Sequence, residues 1–157
     1  MIEISHKLVN ALKERNLTLS TAESITGGLV AKLITDIPGS SKVYLGGIVA
    51  YSPKAKIEIL KIDREIVEML GTVDPLVAEL MSTNVRNLFK ADIGLSTTGI
   101  AGPDPIEGKP VGLSYVGISV NNKNFVFENK FQGDRIIIRE NVAEFLLKKL
   151  LEILEGG

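Results

Sequence analysis

The 157-residue chain has no cysteine, no tryptophan, a single histidine (His6), five phenylalanines and three tyrosines. Without cysteine there can be no disulfide, thiolate nucleophile or cysteine-ligated zinc. One histidine, set in an amphipathic segment, argues against a Ser-His-Asp relay and against a multi-histidine metal centre, so His6 reads as a surface or packing residue. Neither sign of charge dominates: 18 Lys and Arg face 19 Asp and Glu. The lack of a basic footprint argues against nucleic-acid and membrane partners. No apolar run reaches membrane-spanning length, and Met1 to Lys7 lacks the pattern of a signal peptide, which predicts a cytoplasmic protein. Glycine-rich phosphate loops of the GxxxxGK[ST] and GxGxxG types and a GxSxG elbow are also missing. Any nucleophile must therefore be a hydroxyl activated without histidine.

With 45% hydrophobic residues, the composition fits one domain, residues 1–157, able to bury a substantial core. Apolar periodicity predicts a helix over residues 4–14 with Ser5 as its cap, and a short strand over 17–21. A helix over 26–35 and a buried strand over 42–51 should follow, then a helix opened by Ser52-Pro53. Asp63 and Asp74-Pro75 mark two further helix starts, and 91–98 reads as a strand. Residues 99–110 are too rich in Gly and Pro for regular structure, whereas 111–120 and 124–131 form a hairpin around Asn121 to Lys123. A last helix should run from Asp134 to about Leu154. Helices interleaved with strands, then one antiparallel pair, predict a three-layer α/β/α sandwich around a mixed, mostly parallel sheet.

Two places carry chemistry. In Thr21-Ala22-Glu23-Ser24-Ile25-Thr26-Gly27-Gly28 a strand hands over to a helix, whose unpartnered N–H groups and positive dipole end attract an anion. The second is the lysine-bearing stretch Tyr51 to Lys56. Lysine is the remaining candidate base, because burial or a nearby cation disfavours its charged form. Pro38-Gly39-Ser40-Ser41 enters the strand that ends at Tyr51, so Tyr51 and Lys56 could share a cleft with a serine.

Five motifs in order, Ala22-Glu23-Ser24-x-Thr26-Gly27-Gly28, Pro38-Gly39-Ser40-Ser41, Tyr51-Ser52-x-x-x-Lys56, Thr98-Gly99-Ile100-Ala101-Gly102-Pro103 and Lys109-Pro110-Val111-Gly112, resemble the CinA C-terminal family, which includes nicotinamide mononucleotide deamidases. The resemblance implies hydrolysis of the nucleotide's carboxamide to nicotinic acid mononucleotide and ammonia, in pyridine-nucleotide salvage, with no metal or organic cofactor. It implies Ser41 as nucleophile, Lys56 as base and Tyr51 as proton-moving assistant. Ser24, Thr26, Gly27 and Gly28, with Arg139, would hold either the polar end of the nucleotide or the developing oxyanion, and Gly99 and Gly102 would line the substrate site. A homo-oligomer is expected. Other members carry an N-terminal nucleotide-hydrolase domain, so a separate protein could supply that partner. A non-catalytic nucleotide-binding module is the alternative. This chain departs from the family pattern at Ile25, where many members have Cys, at Pro53 (Asn), at Asp74 (Ser) and in the segment Asp104 to Gly108, which lacks a Gly-Gly run.

Overall fold

The computed structural model describes residues 1–156. The elements run α1 (Ile2–Glu14), β1 (Leu19–Glu23), α2 (Leu29–Thr35), a 3-10 turn (Ser40–Lys42), β2 (Tyr44–Val49), α3 (Pro53–Glu58), α4 (Arg64–Leu70), α5 (Pro75–Phe89), β3 (Ile93–Gly99), β4 (Leu113–Val120), β5 (Lys123–Lys130) and α6 (Arg135–Glu155). Three helices start as their sequences dictate. Ser52 accepts from the Ala55 N–H, Asp74 from Leu76 and Asp134 from Ile137, each supplying an acceptor to an otherwise unpartnered donor. Ser5 does not cap α1. The helix already starts at Ile2, and the Ser5 hydroxyl donates to the Met1 carbonyl one turn back.

The sheet order is β2-β1-β3-β4-β5. β1 lies parallel to both β2 and β3, while β3–β4 and β4–β5 are antiparallel. The sheet is therefore mixed, with the two kinds of pairing in equal number. One face is covered by α1, α2 and α6, which bury Leu8, Leu12, Val30, Ile34, Ile138, Val142 and Leu146 against Leu19, Leu95 and Ile118. Burying such side chains fully stabilises by about 1.5–3 kcal/mol each. The other face is covered by α3, α4 and α5 around Leu60, Val67, Val77, Met81 and Val85.

Small residues on the strands let α5 lie close. The Ser20 hydroxyl donates to the Val85 carbonyl and Ser96 to Ala78. A Cβ on Gly117 would stand 2.5 Å from the Ala78 carbonyl oxygen, and one on Gly94 would overlap that of Ser82.

The chain order places the site. From β1 the path to β2 runs through α2 on one face, and the path from β2 to β3 crosses β1 through α5 on the other. Strand order reverses at β1, which opens a crevice outside the carboxyl ends of β1, β2 and β3, where ligands of open α/β sheets bind.

Candidate active site

At that crevice a cavity of about 300 Å³ is lined by Ser24, Ile25, Tyr51, Pro53, Thr98, Gly99, Gly102, Glu107 and Arg135, among others. A larger groove of about 860 Å³ lies near the β4–β5 turn and the C-terminal end of α6, between Arg15, Lys123 and Phe125. It has no counterpart of the contact that marks the smaller cavity.

That contact is made by Lys56. Lys56 is 1% exposed, on the inward side of a short helix whose Lys54 faces solvent. The amine lies 2.8 Å from the Ser24 hydroxyl and donates to the Ala50 carbonyl at 2.7 Å and the Tyr51 carbonyl at 3.4 Å. Burial pushes its pKa down, and the negative charge of Glu107 pulls it partly back, leaving it at about 8 instead of 10.5. A buried lysine with no carboxylate in contact can act as a base near neutrality.

Ser41 lies elsewhere. It is exposed, in the 3-10 turn that precedes β2, whereas Lys56 sits beyond the far end of that strand. Six residues at about 3.3 Å each separate the two by about 20 Å. The serine that meets the lysine is Ser24, because β1 and β2 run parallel in a register that pairs Glu23 with Val49. Tyr51 also departs from its expected role. Its phenol is 61% exposed and accepts from Arg135 at 2.9 Å, while only its main-chain carbonyl touches Lys56.

The helix start after Ser24 is not an open anion site. The buried Glu23 carboxylate accepts from the Thr26 hydroxyl at 2.6 Å and from the N–H groups of Gly28, Val30 and Ala31. The chain thus fills the amino end of α2 with its own carboxylate. Thr26 is fully buried, its hydroxyl shared between Glu23 and Thr97. The Gly27 N–H is taken by the Ser24 carbonyl. Both glycines have positive φ, +57° and +105°, so they shape the turn rather than offer donors to a ligand.

Arg139 also serves this turn, donating to the Ile25 and Thr26 carbonyls at 3.0 and 3.2 Å. The cation that lines the cavity is instead Arg135, which reaches the Gly102 carbonyl and the Tyr51 hydroxyl. A signal for it was available, since a cation in the first turn of α6 opposes the helix dipole and calls for another reason to be there.

Of the glycines expected to line the site, Gly99 and Gly102 do so. A Cβ on Gly99 would crowd Leu113, Ser114 and Ile25. The four departures from the family pattern have local explanations. Ile25 is 5% exposed and packs in the core, Pro53 opens α3, and Asp74 caps α5. In the segment 104–108, Glu107 lies at φ +56° before Gly108, and its carboxylate accepts from the Thr72 N–H and hydroxyl and from the Val73 N–H.

The model of the CinA C-terminal domain matches residues 1–154. The chain belongs to the CinA C-terminal domain family. A protein of Geobacillus sp. (strain WCH70) named for competence-damage induction is 44% identical over 155 residues, 96% of this chain and 37% of that protein. A CinA-like protein of Fusobacterium nucleatum is 46% identical over 144 residues, 91% of this chain and 35% of that one. The chain thus spans little more than a third of the curated relatives it matches. Among solved structures, a competence damage-inducible protein of Klebsiella pneumoniae superposes with a TM-score of 0.96 at 27% identity, covering 98% of this chain and 96% of that one. A competence/damage-inducible protein of Agrobacterium tumefaciens gives 0.93 at 31%, covering 98% and 94%. The CinA C-terminal fold and the sandwich read from the sequence are therefore the same.

Proposed function

We propose that this domain hydrolyses the carboxamide of nicotinamide mononucleotide, with Ser24 as nucleophile and Lys56 as base. The observation that carries the reading is the buried 2.8 Å contact between Lys56 Nζ and Ser24 Oγ. A neutral amine has two hydrogens and one lone pair. Its hydrogens would go to the Ala50 and Tyr51 carbonyls, leaving the lone pair to accept the Ser24 proton.

Ser24 Oγ attacks the carboxamide carbon as its proton passes to Lys56, giving a tetrahedral oxyanion. The electron-withdrawing pyridinium ring makes that carbon a better electrophile, and its positive charge favours neutral Lys56 beside it. Lys56 then returns the proton to the departing nitrogen, so ammonia leaves and an ester on Ser24 remains. Water attacks the ester, gives its proton through Lys56 to Ser24 Oγ, and releases the acid. For the oxyanion, the Ile25 N–H directly follows the nucleophile and has no protein acceptor among the described residues. One such donor is worth about 2.7–4 kcal/mol. Arg135 would take the phosphate, since the amino end of α2 is already filled by Glu23.

The test is ammonia release from nicotinamide mononucleotide by the wild type and by Ser24→Ala, Lys56→Ala and Ser41→Ala. The first two should lose at least about 10³-fold and the third should match the wild type. Full activity in Ser24→Ala would sink the dyad. Calorimetric binding without turnover, unchanged by Ser24→Ala, would favour the binding-module alternative.

A further inference from the structure

Resting on that reading, we propose that Glu107 is a specificity-determining residue that selects a positively charged ring over an uncharged one of the same shape. Charged side chains line the cavity from two places: Arg135 at the Tyr51 and Gly102 end, and Glu107 beside Thr72 and Val73. A ligand that carries an anionic phosphate and a cationic ring matches that pair.

The Glu107 carboxylate is aimed and held ionised. Partial burial pushes its pKa up, but the Thr72 N–H and hydroxyl, the Val73 N–H and the charge of Lys109 outweigh this and bring it below the usual carboxylate value. Gly71 has no side chain where a Cβ would overlap the Glu107 carboxylate. Lys109 stands 3.5 Å from that carboxylate but directs its amine to the Leu70 and Val73 carbonyls, outside the cavity lining. Of this ion pair, a ligand in the cavity therefore meets the carboxylate. Lys56, the other cation that Glu107 attracts, is mostly neutral above about pH 8, so at pH 9 it does not compete with the ring for that carboxylate.

The ring's charge can be changed without changing its shape. The ribotide of benzamide keeps the ribose phosphate and the carboxamide but places them on an uncharged phenyl ring. The experiment, run at pH 9, compares calorimetric affinities of nicotinamide mononucleotide and benzamide ribotide for Ser24→Ala, which cannot turn the substrate over, and for the same chain with Glu107→Gln or Glu107→Asp added. Ammonia release by the wild type is measured in parallel.

Glutamine keeps an acceptor for Thr72 and Val73 and removes only the charge. We expect Ser24→Ala to prefer the mononucleotide by about tenfold. Glu107→Gln should abolish that preference with benzamide ribotide affinity held within about twofold, and Glu107→Asp should retain most of it. Equal weakening of both ligands by Glu107→Gln would make the residue a loop fastener and overturn the proposal. Equal affinity of the two ligands for Ser24→Ala would overturn it even if the Gln variant failed to fold. A wild type that releases ammonia while showing either result refutes Glu107's role alone, whereas one that neither binds nor hydrolyses the mononucleotide refutes the substrate reading with it.

Discussion

Replacing Lys56 with methionine should alter stability in a way that depends steeply on pH. Lys56 titrates at about 8 in the folded chain against 10.5 when unperturbed, a difference worth about 3 kcal/mol. The folded pKa lies below the unfolded one, so between about pH 8 and 10.5 the unfolded chain holds more protons. Stability therefore rises with pH through that window. Below pH 8 the buried ammonium costs its full amount, and above 10.5 the cost disappears. Methionine removes the titration but leaves the Ala50 carbonyl without its donor, a loss of about 1–3 kcal/mol at any pH. The two effects nearly cancel near pH 7, so the variant should match the wild type there. By pH 10 it should have fallen behind by about 2.5 kcal/mol. Urea unfolding of both chains followed by circular dichroism at pH 7, 8, 9 and 10 measures this, and other titrating groups cancel in the difference. A difference that stays flat across the series would mean that Lys56 is not desolvated, and the argument for it as a base would fall.

The same titration should appear in catalysis: kcat/KM for the mononucleotide should rise with pH through an apparent pKa of about 8 as Lys56 loses its proton. Activity that falls through this range would contradict a neutral lysine base. Glu23→Gln should destabilise the domain by about 2 kcal/mol, because one of its four donors then faces an amide N–H in place of an oxygen. It should lower kcat more than it raises KM, since the turn that carries Ser24 moves. Chemical denaturation together with steady-state kinetics tests both parts, and unchanged stability would refute the capping role.

Features set by near neighbours were legible from the sequence. Ser52, Asp74 and Asp134 cap helices as their spacing predicts, and the two-residue turn at Asn121-Asn122 closes the hairpin between Val120 and Lys123. Lys56 stood out because the sequence offers no histidine for the role. Its partner did not, since the choice between Ser24 and Ser41 depends on the parallel register of β1 and β2, which no local pattern encodes. The contacts of Arg139 are hidden from the sequence for a related reason. Placed one turn along α6 from Arg135, it meets the Ile25 and Thr26 carbonyls only because α6 packs beside α2. The residues around Glu107 were hidden because its donors, Thr72 and Val73, are 35 and 34 positions away.

The carboxylate of Glu23 gives the domain an internal counter-ion. Apart from the Ile25 and Thr26 N–H groups, the donors of the turn that carries Ser24 are satisfied before any ligand arrives, so binding need not order it, and the free and occupied domains should share one conformation there. Inhibitor chemistry follows from the same fact: a phosphate or sulfonate aimed at the start of α2 would have to evict a tethered anion bonded to four donors. Compounds that engage Arg135 and leave Glu23 undisturbed start from the better position.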